Sequence, residues 1–180
     1  IQAAKDKGYE ILLLDSPIIS HLIQKLETSN EKLKFTRVDA DVIDKLIQKD
    51  EKEISKLDEK QKEKLKKIIE ESVPKEKYTV QLEAIESNSA PFVITLPEFM
   101  RRMKEMQQSG GNGMFGNMPE IYTLIINVNN PICSEILNSK SKAKKERLIN
   151  QSLDLAKLSQ NLLKGEELTS FIKRSFDLIK

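Results

Sequence analysis

One histidine, one cysteine and no tryptophan in 180 residues leave this chain short of the side chains that carry most enzyme and metal chemistry. With His21 alone, neither a paired-histidine, a three-histidine nor a His-Glu-x-x-His zinc site can be assembled. With Cys133 alone, no intramolecular disulfide and no cysteine zinc cage can form, which fits a reducing, cytoplasmic compartment. Charge of one sign is lacking too: 30 Lys plus Arg face 28 Asp plus Glu, a net +2, so no broad field attracts nucleic acid or anionic lipid. Apolar runs such as 11–14 and 124–126 fall far short of the roughly 20 residues that a membrane-spanning helix needs. Four of the six glycines fall at 110, 111, 113 and 116, without the spacing of a phosphate loop and after a helical pattern instead of a strand. Cys133 has no histidine near it in sequence, and no Asp or Glu pair stands out for acid–base work, so catalytic and metal residues are expected to be none and the chain is not expected to be an enzyme.

What is present is length enough for an ordinary apolar core, in an α+β pattern. Residues 1–48 read as a small βαβ-like unit. A short helical piece ends at Gly8, a strand follows at 10–14, Ser16 and Pro17 open a helix with Ile18, Ile19, Leu22, Ile23 and Leu26 on one face, and a second strand lies at 34–38. Residues 49–77 are a charged helical connector, with 10 Lys and 9 Asp or Glu in 29 positions. Its thin apolar stripe is Ile54, Leu57, Leu65, Ile68, Ile69 and Val73, and Pro74 closes it. From 78 to 180 the period changes to two, with Tyr78, Val80, Leu82 and Ala84 on one face of a strand, then strands at 92–95 and 121–128. These predict a small, mostly antiparallel sheet with helices. Pro131 opens a short helix, and two helices end the chain, the first closed by Gly165. The opening residues, without an initiator Met, read as a helix already under way, and the chain as a fragment of something longer.

Two features point to interaction. All five methionines lie between positions 100 and 118. The amphipathic stripe Leu96, Phe99, Met100, Met103 and Met106 runs into a glycine-rich stretch with Met114, Phe115 and Met118. Such residues either pack on their own sheet or stay exposed and adaptable, as a surface for partners or clients does. In the terminal helices Leu148, Leu155 and Leu162 recur every seven residues, Ile149, Ala156 and Leu163 do so one place on, and Leu158 fills the seam. The last helix carries Leu168, Phe171, Ile172 and Ile179. This pair either folds back on its own domain or pairs with a second copy as a four-helix bundle.

The opening, Ala3-Ala4-Lys5-Asp6-Lys7-Gly8-Tyr9-Glu10-Ile11-Leu12 running on to Asp15-Ser16-Pro17-Ile18, resembles the end of the middle domain of heat-shock protein 90 chaperones. Pro119-Glu120-Ile121-Tyr122, Asn127, Gly165-Glu166-Glu167-Leu168 and Phe171-Ile172-Lys173-Arg174 resemble the C-terminal domain of the bacterial HtpG members. The resemblance covers essentially the whole chain. It implies a part of an ATP-driven, stress-responsive folding chaperone in which ATP and magnesium are bound upstream, with no cofactor in this span. It further implies a homodimer bundle at Leu148, Ile149, Leu155, Leu158, Leu162, Leu163, Leu168, Phe171, Ile172 and Ile179. Client contact falls on the Met-rich stripe: Leu96, Phe99, Met100, Met103, Met106, Met114, Phe115 and Met118. Two departures stand out. The stretch 109–118 is longer than the family's usual loop, and the tail lacks the acidic ending that binds TPR co-chaperones, so no such partner is expected. The competing reading is a non-catalytic scaffold module that docks to a larger assembly.

Overall fold

The computed structural model describes residues 1–6, 8–16, 18–38, 54–96, 100 and 121–179. The chain divides into two compact units, residues 1–49 and 50–180. In the first, α1 (Gln2–Asp6) ends as the sequence predicts at Gly8, whose φ of +78° is the left-handed conformation that glycine adopts without steric cost. Gly8 N–H donates to the Lys5 carbonyl and Tyr9 N–H to that of Ala4, the paired bonds of a Schellman stop. Helix α2 (Ile19–Ser29) follows a turn in which Ile19 N–H donates to the Ser16 carbonyl, and its N-cap residue is Ile18, with no side-chain cap. After α2 the chain returns beside it, and Phe35 N–H donates to the Glu27 carboxylate at 2.8 Å.

The two strands expected in this unit are not formed: among the described residues, 9–15 and 33–37 carry no sheet pairing. Leu12 and Leu13 are 69% and 80% exposed. A strand is stabilised by ladder neighbours and a covered face, and two short segments flanking one helix supply too little of either. The sequence pattern is that of a strand, but the described unit offers it no sheet.

The second unit holds α3 (Glu59–Glu70), β1 (Tyr78–Glu83), β2 (Phe92–Thr95), β3 (Tyr122–Asn127), α4 (Pro131–Asn138), α5 (Lys142–Ser159) and α6 (Gly165–Ile179). The sheet order is β1-β3-β2, with β3 parallel to β1 and antiparallel to β2. This corrects the mostly antiparallel expectation to a mixed sheet. The reason lies in β3, whose Leu124, Ile125 and Ile126 are all buried. A run apolar on both faces belongs in the middle, flanked on both sides, and the short β2 goes to an edge. Register then lines up Val80, Leu124 and Ile94 in one row and Leu82, Ile126 and Phe92 in the next. That face meets α3, α4 and α5 in one core with Leu65, Ile69, Cys133, Ile136, Ile149 and Leu153.

The charged stretch supplies part of this core. In α3, Leu65 and Ile69 are fully buried while the lysines around them are exposed, so an amphipathic stripe of few residues is enough to seat the helix. Asp58 caps it in a capping box, accepting from Gln61 N–H while the Gln61 side chain accepts from Asp58 N–H. Of the predicted stripe only Ile54 is left exposed. Pro131 opens α4 as expected, and the Asn130 side chain accepts from Ile132 N–H.

Three asparagines in a row of four residues form a polar hub under the loops. Asn127 Oδ1 accepts from Ile85 N–H at 3.3 Å and Asn129 N–H at 3.1 Å, and its Nδ2 donates to the Glu86 carbonyl at 2.8 Å. Asn129 accepts from Lys56 N–H and donates to the Ile54 carbonyl, while Asn130 donates to the Ser89 carbonyl. All three are buried, and each replaces water for backbone groups that no strand or helix satisfies.

Candidate interaction site

Helix α5 begins with Ser141 as N-cap, its side chain accepting from Lys144 N–H, and ends in a second Schellman stop. Asn161 N–H donates to the Leu158 carbonyl and Leu162 N–H to that of Lys157, with Asn161 at φ +56°. Asparagine is the residue after glycine that best tolerates this conformation. Gly165, expected to close the helix, instead opens α6 at φ +58°.

The two heptad series of α5 meet different fates. Ile149, Leu153 and Ala156 are buried against the sheet and α4, and Leu148 and Leu162 pack half-buried against the same core. Leu163 is also buried within its own chain. On the other side, Leu155 is 49% and Leu158 42% exposed. In α6, Phe171 is buried and Leu168 half-buried, whereas Ile172 is 46% and Phe176 62% exposed. Ile179 ends α6, and its side chain lies outside the described residues. Phe176 is absent from the sequence expectation, although its spacing of four from Ile172 is the signal that places both on one helix flank.

Charged side chains link the two helices. Arg174 Nη2 donates to Asp154 Oδ2, and Lys157 Nζ stands 3.7 Å from Asp154 Oδ1 and 3.1 Å from Glu167 Oε1. Burial raises the Tyr78 phenol pKa; Lys157 opposes that shift, and the Glu167 and Asp154 carboxylates add to it. Cys133 is fully buried, and desolvation pushes its thiol up to about 12, which removes the thiolate a nucleophile would need. His21 is exposed on α2.

Residues 1–177 match the family model described as Hsp90 protein. The chain belongs to the Hsp90 family. It is 30% identical to a protein named chaperone protein HtpG from Bacteroides fragilis and 31% identical to one from Bacteroides thetaiotaomicron, in both cases over 99% of this chain and 36% of the relative. It is 32% identical to the chaperone protein HtpG of Porphyromonas gingivalis, over 88% of this chain and 24% of the relative. The chain therefore spans about a third or less of the length of these Hsp90 relatives.

In this Hsp90 family member the Met-rich stripe is only partly within view. Leu96 and Met100 are half-buried, while Phe99, Met103, Met106, Met114, Phe115 and Met118 lie outside the described residues. Among the described residues no helix is long and apolar enough to cross a membrane, and no three His, Cys, Asp or Glu side chains converge as a metal site.

Proposed function

We propose that this chain is the dimerisation and client-contact region of an Hsp90 family chaperone, acting in the cytoplasm to hold two protomers together while the complete protein works on partly unfolded clients. The observation that supports it is the exposed apolar flank of the last two helices: Leu155 and Leu158 on α5, Ile172 and Phe176 on α6. The inner face of α5 is occupied by the core and Phe171 of α6 is buried, so these four are the large apolar side chains that the described residues of the two helices leave for a second copy. Covering a half-exposed side chain of this size contributes about 1 kcal/mol, or about 8 kcal/mol over both copies, which is comparable to the roughly 4–15 kcal/mol cost of association. The apolar seam thus provides a dimer of modest affinity, strengthened by whatever else the two copies bring together.

Mechanistically the region is a tether. A second copy would cover both helix flanks in a two-fold arrangement, leaving the sheet core of each protomer intact. Client contact would use the Met-rich stripe that begins at Leu96 and Met100, where flexible thioethers fit many apolar shapes at low cost. ATP and magnesium belong, in this reading, to the parts of the parent protein that the relatives have and this span does not.

Sedimentation equilibrium over a wide concentration range tests the proposal, for the unaltered chain and for Leu155→Glu with Phe176→Glu. Each substitution occurs twice per dimer, so about 4 kcal/mol of burial is lost, or roughly a thousandfold in the dissociation constant. The expected result is a dimer that becomes a folded monomer. An unaltered chain that stays monomeric at high concentration would move the scaffold module to first place.

A further inference from the structure

Helix α6 is attached to the rest of its unit in an unusual way. Among the described side chains its apolar contribution to the interior is Phe171, with Leu168 half-buried. Its links to α5 are polar: Arg174 to Asp154, Glu167 to Lys157 at 3.1 Å, and a weak Gln151 Nε2 to Ser175 Oγ contact at 3.4 Å. Asp154 is a buried carboxylate with one oxygen on Arg174 and the other facing Lys157, and Arg174 Nε is itself buried without a hydrogen-bond partner. Apolar packing gives no reason for a charged pair there. An ion pair with one partner buried stabilises poorly compared with well-packed apolar groups, and the best-attested use of such pairs is to select one register over others.

We propose that Asp154 and Arg174 are positioning residues that set the rotation of α6 on α5 and thereby turn Ile172 and Phe176 outward for a second copy of this chain. This rests on the dimerisation reading above. The geometry behind it is that α6 advances 100° per residue, so a slip by one position would carry Arg174 away from Asp154 and redirect both exposed apolar side chains. Phe171 alone does not forbid that slip, because Ile172 beside it in sequence is also apolar and would take its place in the interior. The bond from Nη2 to Oδ2 is directional, and leaving the Asp154 carboxylate, 13% exposed, without it is unfavourable, whereas the Arg174 side chain, 38% exposed, still reaches water. Lys157, shared between Asp154 and Glu167, ties the start of α6 to the same carboxylate.

Two measurements decide it. Sedimentation equilibrium compares the unaltered chain, Asp154→Asn, Arg174→Asp and the charge-keeping Arg174→Lys. Asp154→Asn and Arg174→Asp should each raise the dimer dissociation constant by about tenfold or more, and Arg174→Lys should lose clearly less than Arg174→Asp. Hydrogen exchange is then read in the monomeric Leu155→Glu, Phe176→Glu background. There Asp154→Asn should speed exchange across residues 167–179 by about tenfold while leaving residues 59–70 and 142–153 unchanged. Unchanged exchange in α6 would overturn the proposal whatever the dimer does. Equal acceleration in α3 and α5 would also overturn it, by showing a general loss of stability. If the unaltered chain proves monomeric, the dimerisation reading fails and the exchange data alone decide whether the pair fixes α6.

Discussion

Replacing Asn127 by Ala should destabilise the second unit far more than the loss of one surface-sized polar side chain would. Asn127 is fully buried and serves three backbone groups: the N–H of Ile85, the N–H of Asn129 and the carbonyl of Glu86. Its removal strands the two N–H groups, at about 1–3 kcal/mol for each that stays dry, while the Glu86 carbonyl keeps the Ser89 N–H at 3.0 Å. Water entering the space left by the amide would recover part of that, so about 2–4 kcal/mol is expected. For a unit of this size the change corresponds to a fall in Tm of roughly 6–15 °C. Asn127→Asp separates the donor from the acceptors. The carboxylate still accepts from both N–H groups, but it faces the Glu86 carbonyl with no proton to give. That variant should be less stable at neutral pH and regain part of the loss on acidification, as the protonated acid donates to the carbonyl. Urea unfolding followed by far-ultraviolet circular dichroism, at pH 7 and pH 5, reads both effects. An Asn127→Ala chain within 1 kcal/mol of the unaltered one would refute the reasoning, because it would mean that the two N–H groups are satisfied without the amide.

Cys133 should resist alkylation at pH 8 in the native chain and react at an ordinary rate in denaturant, since its thiol is buried and held up at about 12. The sign of the linked effect is fixed: the folded thiol keeps its proton where the unfolded one loses it. Stability should therefore decline as pH rises above the unfolded value of roughly 8.5, by at most about 1.4 kcal/mol per pH unit. Rapid native labelling would show that the site opens readily. Phe99→Glu with Met103→Glu should weaken binding of an unfolded client protein several-fold while leaving the dimer intact in sedimentation; unchanged client affinity in the folded dimer would remove this stretch from the client surface.

Much of the architecture is legible from local chemistry. Pro131 after Asn130 starts a helix because proline needs no N–H partner at the first helical position and the Asn side chain supplies one for Ile132. The alternation of Tyr78, Val80, Leu82 and Ala84 marks a strand with one covered face, and the structure buries Tyr78 and Val80 fully and the other two in part. The stripe through Leu65 and Ile69 marks a seated helix despite its many lysines. The terminal stop of α5 was less legible, since both Asn161 and Gly165 take a positive φ and only the bond pattern around 157–162 shows that Asn161 closes it.

The sequence by itself determined which segments of the second unit are helical or extended and which residues are apolar enough to be covered, because periodicity and capping act over a few residues. It also determined the family, since the pattern extends along nearly the whole chain. Tertiary structure decided the rest. The central place of β3, and with it the parallel pairing with β1, follows from comparing the burial available to three strands at once. The absence of sheet pairing at 9–15 and 33–37 depends on neighbours that those residues do not carry with them. The division of α5 into an inner face at Ile149, Leu153 and Ala156 and an outer flank at Leu155 and Leu158 depends on which side meets the sheet. Leucine repeats that look equivalent along the chain therefore differ in exposure, because burial is a property of the assembled core and not of the heptad.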